Sequence, residues 1–314
     1  MKIMYVTSEC APFIKTGGLG DVAGSLPQAL AAKGHDVRVF CPLYSAIDQS
    51  MREKFYYIKN AYVRLGWRNQ YCGIFRYEAD GVTYYFIDNE YYFSRGQVYG
   101  EYDDAERFAY YSKAVLEVLP DLDWRPDVIN CNDWQTALVP VYYNLMFSSR
   151  PFYENIKTVF TIHNIQYQGR YGREILEYVL GIDDAHFRSG FMAMDGDVNL
   201  MKAAIVASTA VTTVSPTYAL CCKATELRDV FPKFVTDMLE GGLQNFSRKM
   251  KCFGDKGAML TAPETRTSSP VRITRNADMV SLSVENLYPC GSHELVQSFF
   301  CQSPAVLVSL TFVL

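Results

Sequence analysis

Lys15-Thr16-Gly17-Gly18-Leu19-Gly20-Asp21-Val22-Ala23-Gly24 follows the apolar run Ile3-Met4-Tyr5-Val6 and leads into a helical pattern. A strand that ends in a glycine-dense turn and enters a helix gathers backbone N–H groups and a helix N-terminus at one point, an arrangement suited to phosphate. The spacing Gly18-x-Gly20-x-x-x-Gly24 is neither the dinucleotide fingerprint nor a Walker A loop, and Lys15 precedes the glycines instead of following them. Taken bare, such a turn is more often a plain tight βα connection than a ligand site.

Working outward, residues 21–33 carry Val22, Leu26, Ala29 and Leu30 on a helical face closed by Gly34. Pro27 leaves two alternatives: a regular helix that begins at Ser25, or an earlier start with a kink at the proline. His35 to Pro42 then reads as a second strand, completing a parallel βαβ unit. Between 55 and 88, alternating and apolar runs with Asp80-Gly81 as a turn predict an antiparallel excursion at the edge of a parallel sheet. The many tyrosines and phenylalanines there fit a core at strand spacing, with a sugar-stacking platform as the other reading. Asn89 to Gly100, which contains Arg95 and Tyr99, is polar and aromatic and reads as a surface loop. A helix is expected over 103–119, with Phe108, Tyr111, Val115, Leu116 and Leu119 on one face.

Pro126 to Cys131 reads as a buried strand, followed by Asn132-Asp133-Trp134-Gln135 and a helix over 136–147. Lys157 to Ile162 is another strand, and it leads into His163-Asn164. Ligands of open α/β sheets bind beyond the carboxyl ends of strands, so polar residues at three such ends point to one site. His163 alone is equally a hydrogen-bonded core histidine. A further helix opening at 195–202 and a short strand Val211-Thr-Thr-Val214 complete the βα alternation of a doubly wound, mostly parallel Rossmann-like domain.

The 314 residues carry a net charge of -4 and are 49% hydrophobic, enough for one large or two medium domains with a buried core. No basic footprint for nucleic acid is present. No apolar stretch approaches the roughly 20 residues of a membrane span, and the N-terminus has no leader pattern, so a cytoplasmic, membrane-independent protein is expected. The nine cysteines show no C-x-x-C pair and no zinc-ligand spacing, which predicts no metal site. Four of them fall in residues 1–219 and five in 220–314. Periodicity fades over the same boundary, with a helical pattern only over 229–239. The segment 220–314 is therefore expected to be an aberrant, poorly ordered tail, produced by a shifted frame or splice near Ala219, and the chain a truncated form of low or no activity.

Five ordered motifs carry a family resemblance: KTGGLGDVAGSLP, FIDNEYYFSRGQVYG, INCNDWQTAL, TIHNIQYQG and VTTVSPTYA. Residues 1–219 resemble the catalytic N-terminal domain of bacterial glycogen synthases and plant starch synthases, glycosyltransferases of the double-Rossmann (GT-B) type. The resemblance implies transfer of glucose from ADP-glucose to the non-reducing end of an α-1,4-glucan with retention, without a cofactor. It places Lys15 and the Gly17-Gly18 backbone on the diphosphate, Glu9 and Asp133 near the acceptor sugars, His163 and Asn164 facing the transferred glucose, and Arg95 and Tyr99 on the acceptor side. The family often has His-Asp-Trp-His where this chain has Asn132-Asp133-Trp134-Gln135. A non-catalytic glucan-binding fragment is the alternative. A nicotinamide-dependent oxidoreductase needs an acid at the end of the second strand, and Cys41-Pro42-Leu43-Tyr44 supplies none.

Overall fold

The computed structural model describes residues 1–214, which lie within the first of the two units into which the chain divides, Met1–Ala219. The expectations for Ser215 to Ala219, for a helix over 229–239 and for the tail 220–314 fall outside the described residues.

The strands are β1 (Lys2–Val6), β2 (Asp36–Pro42), β3 (Tyr56–Leu65), β4 (Arg68–Ala79), β5 (Val82–Asp88), β6 (Val128–Asn132), β7 (Lys157–Ile162), β8 (Arg170–Tyr171), β9 (Ala193–Met194), β10 (Asp197–Asn199) and β11 (Ala210–Thr213). The helices are α1 (Gly18–Ala32), α2 (Gln49–Arg52), α3 (Glu90–Phe93), α4 (Asp104–Glu117), α5 (Leu138–Tyr142), α6 (Ala185–Arg188) and α7 (Leu200–Ala207). The main sheet runs β11-β7-β6-β1-β2-β5-β4-β3, and a small sheet runs β8-β10-β9. From β11 to β5 all pairs are parallel; β5-β4 and β4-β3 are antiparallel, as the alternation over 55–88 predicts. Burial in β1, β2 and β5 is nearly continuous rather than alternating, the mark of strands covered on both faces. The edge strand β3 instead exposes Tyr56, Tyr57 and Tyr62, so the aromatic excursion is core only where Phe55, Tyr84, Tyr85 and Phe86 lie.

Helix α1 takes the earlier of the two starts and runs through Pro27. A proline there removes the N–H that would bond the carbonyl of Ala23. The Cys10 thiol donates to that carbonyl at 3.2 Å, so the orphaned acceptor is satisfied from the β1 loop. At the other end Gly34, at φ +83°, closes a Schellman motif, with Gly34 N–H on Ala31 O (2.8 Å) and His35 N–H on Leu30 O (3.3 Å).

Two helices differ from expectation. Helix α4 is buried nearly all round, because α5 and the strands β3 and β5 pack on it from different sides, so its core is not confined to one face. The expected helix over 136–147 is a 3-10 turn at Trp134–Thr136, the short α5 and a π turn at Tyr143–Phe147. Pro140, inside α5, cannot donate to the carbonyl of Thr136 and crowds it, which breaks the regular ladder. No helix among the described residues is long and apolar enough to cross a membrane.

The loop after β1 is fixed by Phe13, whose ring meets Phe86 and Tyr84 edge-on at 5.0 Å. Gly24 lets α1 close on the same loop: a Cβ there would lie 2.7 Å from the Ala11 carbonyl oxygen. Gly24→Ala is therefore expected to cost about 1–3 kcal/mol in denaturant unfolding. Gly96→Ala, where nothing lies within 4 Å, is the matched control and stays within about 0.5 kcal/mol of the parent.

Candidate functional site

The chain leaves β1 toward β2 and β5, then returns to place β6 on the other side of β1. The topological switch point thus lies between β1 and β6, where open α/β sheets form their ligand crevice. The carboxyl ends of β1, β6 and β7 meet along this edge. They carry Glu9, Asn132-Asp133 and His163-Asn164.

Glu9 is buried, and its carboxylate works on the glycine loop. It accepts from the N–H of Thr16, from the N–H of Gly17 at 3.1 Å and from the Thr16 hydroxyl at 3.0 Å. Gly17 caps α1 without a side chain, so Glu9 supplies the negative charge that the helix N-terminus favours. The Gly17 amide, expected on a diphosphate, is thereby already taken. Among the described residues the N–H groups of Gly18 and Leu19 have no hydrogen-bond acceptor. Lys15 stands beside them, about half exposed, with its ammonium 2.7 Å from Asp21.

Tyr99 joins this group from the other side. Its hydroxyl donates to Glu9 Oε1 at 3.1 Å and lies 2.7 Å from the Ser8 hydroxyl. Burial pushes the Tyr99 phenol well up, with nearby Tyr44 and Glu9 adding to it, so it stays protonated as a donor. The loop that carries Tyr99 hangs on Arg107, which is fully buried. Its guanidinium donates to Tyr92 O (2.7 Å), Val98 O (3.2 Å) and Asp104 Oδ1 (2.5 Å). Sequence reading passed over Arg107. The available signal was slight: Arg107 stands three residues after Asp104 in a helix that also carries Glu106, Lys113 and Glu117.

Asp133 has φ 57° and ψ 179°, a conformation that non-glycine residues adopt at a cost of about 1–3 kcal/mol. Its Oδ1 accepts from the N–H of His163 (2.7 Å) and of Asn164 (3.2 Å), which ties the end of β6 to the loop after β7. Asn132 is completely buried, with its Oδ1 2.9 Å from His163 Nε2. His163 is therefore half-buried, with its ring hydrogen-bonded inside the strand-end cluster as the core reading of this residue has it. Trp134 packs edge-on against Phe108 at 5.3 Å and holds the turn in place.

Arg95 is placed differently from the rest. Its guanidinium is spent on Asp103 at 2.8 Å and on Tyr91 O at 2.8 Å, and no hydrogen bond joins it to Glu9, Tyr99 or the β6–β7 cluster. It shapes the rim by anchoring its own loop. Gln135 Oε1 is buried and has no hydrogen-bond partner among the described residues.

Removing the Glu9 carboxylate leaves two loop amides unsatisfied. Glu9→Ala is expected to cost about 1.5–3 kcal/mol and to speed amide hydrogen exchange at Thr16 and Gly17. Glu9→Gln keeps one acceptor oxygen and falls between parent and alanine variant. Unchanged exchange at both amides in Glu9→Ala would contradict this account of the loop.

Residues 2–229 match the family model for the starch synthase catalytic domain. Glycogen synthase of Anoxybacillus flavithermus is 51% identical over 218 residues, covering 69% of this chain and 45% of that protein. The Bacillus cytotoxicus glycogen synthase is 43% identical over 286 residues, 91% of this chain and 58% of its own length, an alignment long enough to run past Ala219. The catalytic domain of starch synthase IV from Arabidopsis thaliana, solved with ADP and acarbose, shares the fold with a TM-score of 0.66 and 31% identity, covering 79% of this chain and 50% of that one. The chain spans about half the length of the curated relatives it matches. Its sheet is accordingly the Rossmann-like half of a GT-B glycosyltransferase, and the chain belongs to the starch synthase catalytic-domain family.

Proposed function

We propose that this domain forms the wall of a glucosyltransferase cleft that takes ADP-glucose as donor and an α-1,4-glucan as acceptor, transferring glucose to the non-reducing end with retention, in the cytoplasm and without a metal or cofactor. The observation that carries the reading is the pairing of Lys15 with the unoccupied N–H groups of Gly18 and Leu19 at the switch point. The starch synthase IV structure, which holds ADP and acarbose, supports both ligand classes.

Retaining transfer develops negative charge on the departing diphosphate and positive charge at the anomeric carbon. A cation and a helix N-terminus fixed before the reaction lower that barrier more than groups that must reorganise. Lys15 can leave Asp21 at little cost, since an ion pair this exposed contributes no more than about 1 kcal/mol. A diphosphate, with more charge and several acceptor oxygens, displaces the carboxylate. His163 and Asn164 then face the glucosyl unit. Glu9, Asp133 and Tyr99 hold the acceptor side by fixing the loops on which it rests, and Arg95 braces the rim. Both carboxylates already accept backbone N–H groups, so their part is to hold geometry.

The test is calorimetric binding of ADP-glucose and of maltooligosaccharides to the full chain, run beside transfer of labelled glucose. Lys15→Ala is expected to weaken ADP-glucose binding roughly 10- to 100-fold, the loss of one charge-assisted contact of about 1.5–3 kcal/mol, with glucan binding unchanged. Equal ADP-glucose affinity in parent and variant would overturn the role of Lys15. Glucan binding with no donor binding and no transfer would assign the chain to the non-catalytic glucan-binding reading.

A further inference from the structure

We propose that Asn132 is a positioning residue that fixes the neutral tautomer of His163, with the proton on Nε2, so that Nδ1 can act only as a hydrogen-bond acceptor. The argument starts from the donors and acceptors around the Asn132 amide. One of its terminal atoms lies 2.9 Å from the Val6 carbonyl oxygen. A backbone carbonyl only accepts, so that atom is the amide nitrogen, and the other is the oxygen. The same nitrogen donates to Asn130 Oδ1 at 3.0 Å. Asn130 is oriented in turn, because turning it over would set its nitrogen against the Asn132 nitrogen, and its own nitrogen lies 2.9 Å from the Thr161 hydroxyl, which can accept. Neither amide can turn over without facing like to like.

Asn132 Oδ1 is thus an obligate acceptor, and two groups converge on it: the Tyr5 hydroxyl at 3.1 Å and His163 Nε2 at 2.9 Å. Burial pushes the Tyr5 phenol strongly up, with Cys10 and Asp133 contributing, so the hydroxyl keeps its proton and donates. A neutral imidazole carries one N–H and one lone pair, and a lone pair on Nε2 would face the lone pairs of Oδ1. The proton therefore sits on Nε2. Since Asn132 is completely shielded from solvent, no water can take over as the partner of its oxygen.

The consequence concerns recognition. A ring of this tautomer accepts a hydrogen bond from a hydroxyl at Nδ1 and cannot donate one there. A ligand that meets the ring at Nδ1 must then donate to it, so a hydroxyl suits that contact and a carbonyl or ether oxygen does not. This step rests on the reading that His163 faces the glucosyl unit, whereas the tautomer itself does not. Asp133 completes the arrangement by fixing the His163 backbone N–H, so backbone and ring are each held by one of two consecutive residues.

The test is nitrogen NMR of the His163 ring in the full chain, recorded above the ring's own titration and assigned with a His163→Gln control. In the parent protein, Nε2 is expected to show the signature of a protonated nitrogen and Nδ1 that of a bare one. Asn132→Asp keeps an acceptor oxygen toward the ring but loses both donors, to Val6 O and Asn130 Oδ1, so it is expected to keep the proton on Nε2 at a cost in stability. Asn132→Leu removes the acceptor and is expected to shift the ring toward a mixture of tautomers. A parent spectrum with the proton mainly on Nδ1 would overturn the proposal whether or not either variant folds, and so would an unaltered ring spectrum in folded Asn132→Leu. A parent spectrum with the proton on Nε2, together with absent ADP-glucose binding, would keep the tautomer and reject the glucosyl reading.

Discussion

Two carboxylates at the ends of parallel strands hold this site together. A parallel strand delivers its chain into a loop whose first amides have left the ladder and lack partners. Glu9 answers that deficit for Thr16 and Gly17 after β1, and Asp133 answers it for His163 and Asn164 after β7. Hydrogen bonds to a charged acceptor contribute about 1.5–3 kcal/mol net. That is enough to offset the strained backbone of Asp133, which is held at positive φ by the bonds its own side chain makes. Each acid reaches across the chain, by eight residues in one case and thirty in the other. The loops thereby become parts of the sheet edge instead of appendages to it.

This rigid rim leaves one cation loosely held. Among the described residues Lys15 is paired only with Asp21, on the exposed side of α1, while the groups around it are locked by Phe13, Tyr99 and Arg107. The contrast suits a group that must change partners when an anion arrives, on a scaffold that must not move. Arg95 shows the opposite choice. It is a guanidinium at the same rim, but it is held in place by the Asp103 carboxylate and the Tyr91 carbonyl.

What could be read from the sequence was local. The βαβ unit, the Asp80-Gly81 turn, the antiparallel edge and the polar strand ends follow from residue type and spacing within about ten positions. So did the choice between two starts for α1, although not its outcome, because what decides it is a thiol outside the helix: Cys10 takes the carbonyl that Pro27 abandons. Arg107 and Asn132 were missed as organisers for the same reason. Their partners lie at separations from three to over a hundred residues, and nothing in a stretch of sequence shows which amide will face which carbonyl. Glu9 and Asp133 were read as sugar contacts, whereas in the fold their carboxylates hold loop amides, and a carboxylate at a strand end looks the same in sequence whether it waits for a ligand or already holds a loop.

That distinction bears on how far the described domain orders its own rim. If the acids of this rim depended on substrate or on another lobe for their partners, the isolated edge would carry unpaired buried charge, and the loops would stay mobile until something bound. Instead these three side chains find partners among the described residues: Glu9 in two amides and two hydroxyls, Asp133 in two amides, Asn132 in groups on β1, on its own strand and just past β7. These bonds lie within the described residues, and they fix the strand-end loops before any ligand arrives. Catalysis asks for more than order, because donor and acceptor must be held against each other at reacting distance. On the proposed reading, the preformed rim supplies part of that positioning before any ligand arrives.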